Sequence, residues 1–417
     1  MKTIIKNAKI VSEKVYKNGF VAIENGIIVS LGTMEDYESF RDNWNHTIDI
    51  VDATGKLVAP GSIGIHDHGA NGFDTMDGTV EALCGMGNYL ASSGTTLVYP
   101  TTVSASIEET EKICNAISQI SLGNVIDKLG FEGTWIAKLK EKGKAMGGHI
   151  SEHIRPPKKD EFIRYWDASH GRIKMATLDP DYMEDDNFSE FMETLRYHGV
   201  RPMMGHTDCS HSTAVKFLTS GGIIGVRHVP NCLSGRDGDR FGKYGAIQGI
   251  YTAREQGYPV FAEVVIDGVH CNSDTVKKVI EKVGIDHVIA ATDGMKARRK
   301  ELEPGYEMEI DNNRVRYEKN DDGFYGLYKF KEGELVWTPY GSALHLNEAA
   351  KNLRKMDAVQ EGDRGLLEIF QLLSTNPARF LGLEDRKGRI KVGFDADIVI
   401  YNDDFDVDNV YVNGVLV

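Results

Sequence analysis

The sequence predicts an α/β protein: a (β/α)8 barrel of the TIM type, with a small β-sandwich domain built from both chain termini. Three observations predict it. Between residues 60 and 380, buried-type apolar runs alternate with helical stretches, the pattern of repeated βα units and a parallel sheet. Eight such runs can be read, the number a closed barrel needs. Both ends of the chain instead carry short alternating strands joined by Asn-Gly turns, a strong hairpin signal.

In chain order, TIIKNAKIV and GFVAIENGIIVSLGT read as the N-terminal strands. The barrel strands follow as SIGIHDH, TTLVYPTT, VIDKLGFEG, RIKMATLDP, VRPMMGHTD, GIIGVRHVPN, PVFAEVVIDG and HVIAATDG, each ending in polar residues. Between them SIEETEKICNAISQI, DNFSEFMETLRYHG, STAVKFLTSGG and NSDTVKKVIEKVG have helical spacing. A doubly wound open sheet is the alternative, but no GxGxxG follows the first strand. After the eighth strand, RRKELEPGYEMEIDNNRVRYEKNDDGFYGLYKFKEGELVW is polar and turn-rich, which predicts a β-hairpin excursion over the barrel mouth. The helix LLEIFQLLSTNPARFLGL stops at Gly382, and GRIKVGFDADIVIYN and VDNVYVNGVLV return to strands. Isolated hairpins are barely stable, so the two ends are expected to pair. Residues 1–58 and 384–417 then form the small domain and residues 59–383 the barrel.

Composition narrows the function. The 417 residues carry 48 Lys and Arg against 62 Asp and Glu, a net charge of −14, which disfavours a nucleic-acid or anionic-membrane surface. The opening stretch has no apolar run long enough for a signal peptide, and no later segment approaches a membrane span. Five widely spaced cysteines form no CxxC pair, so neither a disulfide framework nor a zinc knuckle is expected. A reducing cytoplasm is the default location.

The polar residues fall where a barrel would gather them. His66 and His68 end the first strand, Glu132 the third, His206 the fifth, His228 the sixth and Asp293 the eighth. In a (β/α)8 barrel those strand ends share one mouth, so a His and carboxylate cluster results. Imidazole nitrogens and carboxylate oxygens are the usual ligands of Zn²⁺ and similar ions. Alternate residues of a strand point the same way, so His66 and His68 can grip one ion. His46, His170, His198, His287 and His345 read as ordinary surface or hydrogen-bonded histidines. Asp293 reads either as a helix cap or as a carboxylate within reach of a metal-bound water, and its place at a strand end favours the second.

HxH on strand one, Glu on strand three, His on strands five and six and Asp on strand eight resemble the amidohydrolase superfamily. The local wording is similar to the N-acetylglucosamine-6-phosphate deacetylase family over most of the chain. APGSIGIHDHGANGFDTMDG resembles its PGxIDxHxHG segment, GTTLVYPTT its GTTxxxPTT, GFEGTW its HxEGPF, and KGKAMGGHISEHIRPP its KGxH segment. GHTDCS resembles GHS, HVPNCLSG resembles HLFNAM, IDGVHCN resembles ADGxH and ATDGM resembles TDAM. STNPARFLGLEDRKGRIKVGFDADIVI is similar to the long C-terminal motif of that family.

The resemblance implies a metal-dependent amide hydrolase that releases acetate from an N-acetylated hexosamine 6-phosphate. It implies that Glu132, His206 and His228 hold the main divalent ion and that His66 and His68 are available for a second. Zinc is the first expectation, with iron, manganese or cobalt open. Asp293 would take the proton from water and pass it to the departing amine. His149 would face the acyl carbonyl and His270 the sugar and its phosphate, with Asn231 and the backbone around Cys232 near the phosphate. An arginine from a neighbouring subunit usually completes that anion site, which implies a homodimer. Arg236 and Arg240 lie close, but Arg240 is one residue late and Phe241 stands where a proline is expected. Other departures are Gly130, Thr134, HVPNCL and TDGM, so the hydrolytic residues persist while their surroundings drift. An N-acyl amino acid deacylase, a cyclic amidase or a non-catalytic barrel are the alternatives.

Overall fold

The computed structural model describes residues 2–41, 44, 48–121, 123–138, 147–220, 224–235, 245–310, 313–331 and 333–417. A strand forms in each of the eight apolar runs: β1 (Ser62–Asp67), β2 (Thr95–Pro100), β3 (Leu129–Phe131), β4 (Ile173–Leu178), β5 (Arg201–Met204), β6 (Gly225–Val226), β7 (Phe261–Val265) and β8 (Val288–Ala291). β3 to β8 form one six-stranded sheet in chain order, every pair parallel. β1 and β2 pair in parallel beside it. Single parallel bridges join Thr101 to Gly130 and Asp67 to Gly294, so the β1–β2 pair touches both edges of the six-stranded sheet.

Helices connect these strands for the reasons their sequences suggest. In Ile107–Ser118, Ser106 caps the first turn in a capping box with Glu109, and Ile113, Cys114, Ala116 and Ile117 are buried. Helix Ser273–Val283 starts on the Asn272 side chain, which accepts from Thr275 N at 3.0 Å, and buries Val276, Val279 and Val283. Helix Ser273–Val283 packs on two strands of the sheet, Phe261–Val265 and Val288–Ala291. A second apolar cluster of Ile63, Ile65, Leu97, Tyr99, Met175, Met203, Phe261 and Ile289, closed by Phe380 and Leu381, draws together side chains from seven segments.

Strands from both ends of the chain share an eight-stranded sheet. Lys2–Val11 pairs with Val15–Glu24 and also, in parallel, with Leu57–Pro60, against which Ile398–Tyr401 lies antiparallel. The turns at Asn25-Gly26 (φ 51° and 84°) and Asn413-Gly414 (φ 48° and 74°) have the positive φ pairs of type I′ hairpins. They also touch: a Cβ on Gly26 would stand 2.7 Å from the Asn413 carbonyl oxygen. Ile5, Ile10, Val21, Ile28 and Val58 pack with Ile390, Phe394, Ile398 and Ile400 across this sheet.

The segment after β8 differs from expectation. In place of one hairpin it forms a four-stranded antiparallel sheet of Glu307–Ile310, Asn313–Lys319, Tyr325–Lys331 and Glu334–Pro339. Its apolar face covers Met295 and Ala297 just beyond β8. Among the described residues, no helix is long and apolar enough to cross a membrane.

Candidate active site and metal centre

The strand ends bring the expected residues together. Glu132 follows β3, His206 follows β5, His228 follows β6, Asp293 follows β8, and His66 and His68 lie at the end of β1. Three of them leave ordinary strand geometry, with φ of 44° at His206, 28° at His228 and 51° at Asp293. Cys232 is similar at 49°. Such backbone costs roughly 1–3 kcal/mol per residue and persists where the surroundings enforce it. Here it turns side chains inward.

Glu132 lies at the centre. Its Oε1 is 3.1 Å from His206 Nε2 and 3.3 Å from His228 Nε2, and its Oε2 is 3.1 Å from His66 Nε2 and 3.2 Å from His68 Nε2. One carboxylate thus faces two imidazole pairs. Asp293 Oδ1 stands 3.3 Å from His68 Nε2 and 3.6 Å from His66 Nε2. Two trios that could hold an ion result, Glu132 with His206 and His228, and His66 and His68 with Asp293.

Proton positions sharpen this arrangement. His228 Nδ1 lies 3.0 Å from the Asn231 carbonyl, and His68 Nδ1 lies 3.1 Å from the Thr101 carbonyl, so each ring donates there and leaves a bare Nε2 when neutral. His66 Nδ1 is held by Glu263. The bare nitrogens converge, with His206 Nε2 2.8 Å from His228 Nε2 and His66 Nε2 3.2 Å from His68 Nε2. Glu132 Oε1 is buried and accepts no well-aimed hydrogen bond. Tetrahedral ligands at about 2.0–2.1 Å from an ion lie about 3.3 Å apart, so this donor set fits a divalent cation.

The electrostatics agree. Burial alone would lower His66, but Glu263 and Glu132 raise it to about 10. Burial likewise opposes His68, which Asp293 and Glu132 raise to about 9. Burial would raise Glu132 and Asp293, yet the imidazoles hold both well below the usual carboxylate range. The carboxylates draw positive charge inward, either as protons on imidazole or as a cation in their place.

His149 and His270 flank the cluster. Ser104 N donates to His149 Nδ1 at 3.3 Å, which puts the ring proton on Nε2, 3.4 Å from His206 Nε2. Burial and then the neighbouring His206 push His149 well below the ordinary imidazole value, so it stays neutral. Gly133 permits this approach, because at φ 109° a Cβ there would meet Ser104 N at 2.1 Å and His149 Nδ1 at 2.8 Å. His270 Nδ1 lies 2.6 Å from Asp267 Oδ2, and its Nε2 is 3.9 Å from Asp293 Oδ2. Asn231 Nδ2 points at Cys271 Sγ at 3.6 Å, and Cys232 hydrogen-bonds His206. Arg236 and Arg240 lie outside the described residues.

Sequence reasoning missed the charged residues behind this cluster. Glu263 on β7 holds His66 Nδ1, accepts from His228 N at 3.2 Å, and pairs with Arg227 Nη1 at 2.9 Å. Arg227 also donates to the Ile65 carbonyl at 2.9 Å. Asp267 orients His270 in the same way. Asp67 pairs with Arg298 at 2.5 Å and accepts from Thr292 at 2.8 Å, fixing β1 against β8. The one available signal was a charge inside an apolar strand, FAEVV, where burial demands a partner.

Residues 57–417 match the amidohydrolase family. The chain is 30% identical over 414 residues to the N-acetylglucosamine-6-phosphate deacetylase of Bacillus subtilis (strain 168), covering 97% of this chain and 94% of that one. The deacetylase structure from Thermotoga maritima superposes with a TM-score of 0.76 at 26% identity, covering 99% of each chain. A Mycobacterium smegmatis deacetylase variant in complex with N-acetyl-D-glucosamine-6-phosphate has the same fold, with a TM-score of 0.81 at 20% identity over 100% of this chain and 99% of that one. This chain therefore belongs to the amidohydrolase family, and it is a hydrolytic enzyme.

Proposed function

We propose that the chain hydrolyses the N-acetyl amide of an N-acetylhexosamine 6-phosphate, giving the amino sugar phosphate and acetate. The observation that carries this is Glu132, each of whose oxygens faces its own imidazole pair with Asp293 alongside. Glu132, His206 and His228 would hold the main ion and His66 and His68 a second. Zinc is the first choice, then iron, manganese or cobalt. A divalent ion bound there lowers the pKa of a water toward neutrality and polarises a carbonyl oxygen.

The chain's own residues supply the rest. Asp293 is ionised at neutral pH and accepts a proton from the attacking water. It then returns that proton to the amine nitrogen, which would otherwise leave as a poor anion. His149 presents a neutral Nε2–H to the acyl oxygen. His270, oriented by Asp267, faces the sugar, and Asn231 with the Cys232 backbone faces its phosphate. We infer that an arginine from a second subunit, with Arg240 as the candidate, completes this site in a homodimer in the cytoplasm.

The same reading extends to architecture. β1 to β8, bridged at both edges of the six-stranded sheet, would close as a (β/α)8 barrel spanning residues 59–383. Residues 1–58 and 384–417 would form the small β-sandwich domain. The test is a deacetylation screen with phosphorylated and unphosphorylated N-acetylhexosamines, with metal content measured on the same sample. Free amine only from the phosphorylated sugars supports the reading. Equal turnover of both, or turnover of N-acyl amino acids alone, overturns it.

A further inference from the structure

At the other ends of the same strands lies a basic cavity. Lys174 sits near the start of β4 and Arg201 begins β5, while Arg196 comes from the last turn of helix Phe188–Tyr197. With Met192, Pro202 and Ile224 they line a cavity of ≈ 270 Å³. His206 follows Arg201 by five residues, so the cavity lies about 16 Å from the metal ligands along an extended strand. It is a separate place.

What sets the cavity apart is that its charges are unmatched. Among the described residues, none of the three cations makes a side-chain hydrogen bond or an ion pair. By contrast, Arg155 is paired with Glu161, and Lys387 with Asp395 and Asp397. Burial, then Arg201 and Lys128, push Lys174 down to about 8, with only Asp127 opposing. Burial likewise lowers Arg201, with Glu384 opposing. A protein of net charge −14 has ample carboxylates to neutralise such a cluster, yet among the described residues none lines the cavity. Like charges held together in a partly desolvated cavity repel, and an anion relieves that repulsion.

We propose that this cavity binds a dianionic phosphate group, as free phosphate or as a small phosphate monoester, with Lys174, Arg196 and Arg201 as its donors. Two guanidinium forks and one ammonium suit a phosphate, which offers more acceptor oxygens than a carboxylate can. The volume lies below the roughly 300–1,000 Å³ of ordinary ligand pockets, which favours a small anion over a nucleotide. The site is independent of the hydrolytic reading and stands or falls apart from it.

The test reads Lys174 directly. The metal-loaded enzyme is acylated near pH 8, and modification of Lys174 is followed by peptide mass spectrometry. Chloride, inorganic phosphate and glucose 6-phosphate are compared at equal ionic strength. Phosphate or the monoester is expected to slow Lys174 acylation at least tenfold relative to chloride. Protection at lower concentration by inorganic phosphate assigns free phosphate, and the reverse assigns a monoester. Arg201→Gln is expected to lose this protection while deacetylation turnover stays unchanged. Arg196→Gln at the exposed rim repeats the test if the first variant does not fold. Protection no greater than that by chloride, or full protection persisting in folded variants, overturns the proposal.

Discussion

Asp293 and Glu263 illustrate two different ways in which one side chain governs the site. Asp293→Asn keeps the size and removes the proposed base, so kcat is expected to fall by roughly 10²–10⁴ with metal content unchanged. Loss of the metal as well would make Asp293 a ligand first. Glu263 acts through His66, whose Nδ1 it holds, and Glu263→Gln is expected to weaken metal affinity by about 10–100-fold. Equilibrium competition with a chelator measures that change. The raised His66 and His68 values give affinity a pH dependence of definite sign. Below about 10 and 9 these rings carry protons that an incoming cation must displace. Affinity should therefore climb with pH, by about tenfold per unit for each proton released, and a flat profile between about pH 6.5 and 8.5 would contradict it. The clustering of the six strand-end residues was legible because residue types able to bind an ion are few, His, Asp and Glu among them, and each stands at the end of an apolar run. Glu263 and Arg227 were not, because each is matched by a residue from another strand and looks, in one dimension, like a stray charge in an apolar run.

Elements decide how accurately those side chains are held. Gly133 lets the chain after Glu132 pass within reach of Ser104 and His149. Gly133→Ala, at φ 109°, adds both backbone strain and a clash, so kcat should fall with the His149 ring displaced, while Ser106→Ala serves as its contrast. The latter removes a helix cap and is expected to cost about 1 kcal/mol in denaturant unfolding, with a smaller effect on kcat than Gly133→Ala. The capped helices could be read because apolar periodicity and capping residues are local signals. The sheet at residues 307–339 was only half legible. Its strands are polar and partly exposed, so alternation suggested a hairpin but could not count the strands or set their pairing.

Across the whole molecule, the ends are tied by backbone bonds such as Ala396 N to the Gly26 carbonyl at 2.8 Å, and beside them Lys387 lies 2.5 Å from Asp397 and 2.9 Å from Asp395. Lys387→Met would leave two partly buried carboxylates side by side and is expected to destabilise by about 3 kcal/mol, read from the unfolding midpoint. Burial would raise Asp395, but Lys387 and Arg386 hold it below its ordinary value of 3.8. Its contribution is therefore complete above pH 3.8 and lost as the pH falls through the lowered value, so this part of the molecule should loosen in acid. That the two ends meet was legible from matching Asn-Gly turns and from the instability of lone hairpins. Their order within one sheet was not, since it depends on Leu57–Pro60 accepting a strand from far along the chain. During synthesis this has a price. Pro60 emerges from the ribosome 338 residues before its partner Ile398, a wait of roughly 20–70 s at ordinary elongation rates. Throughout that interval the nascent chain carries an open β edge of Leu57, Val58 and Ala59, which makes it a natural client for a chaperone that binds extended apolar segments.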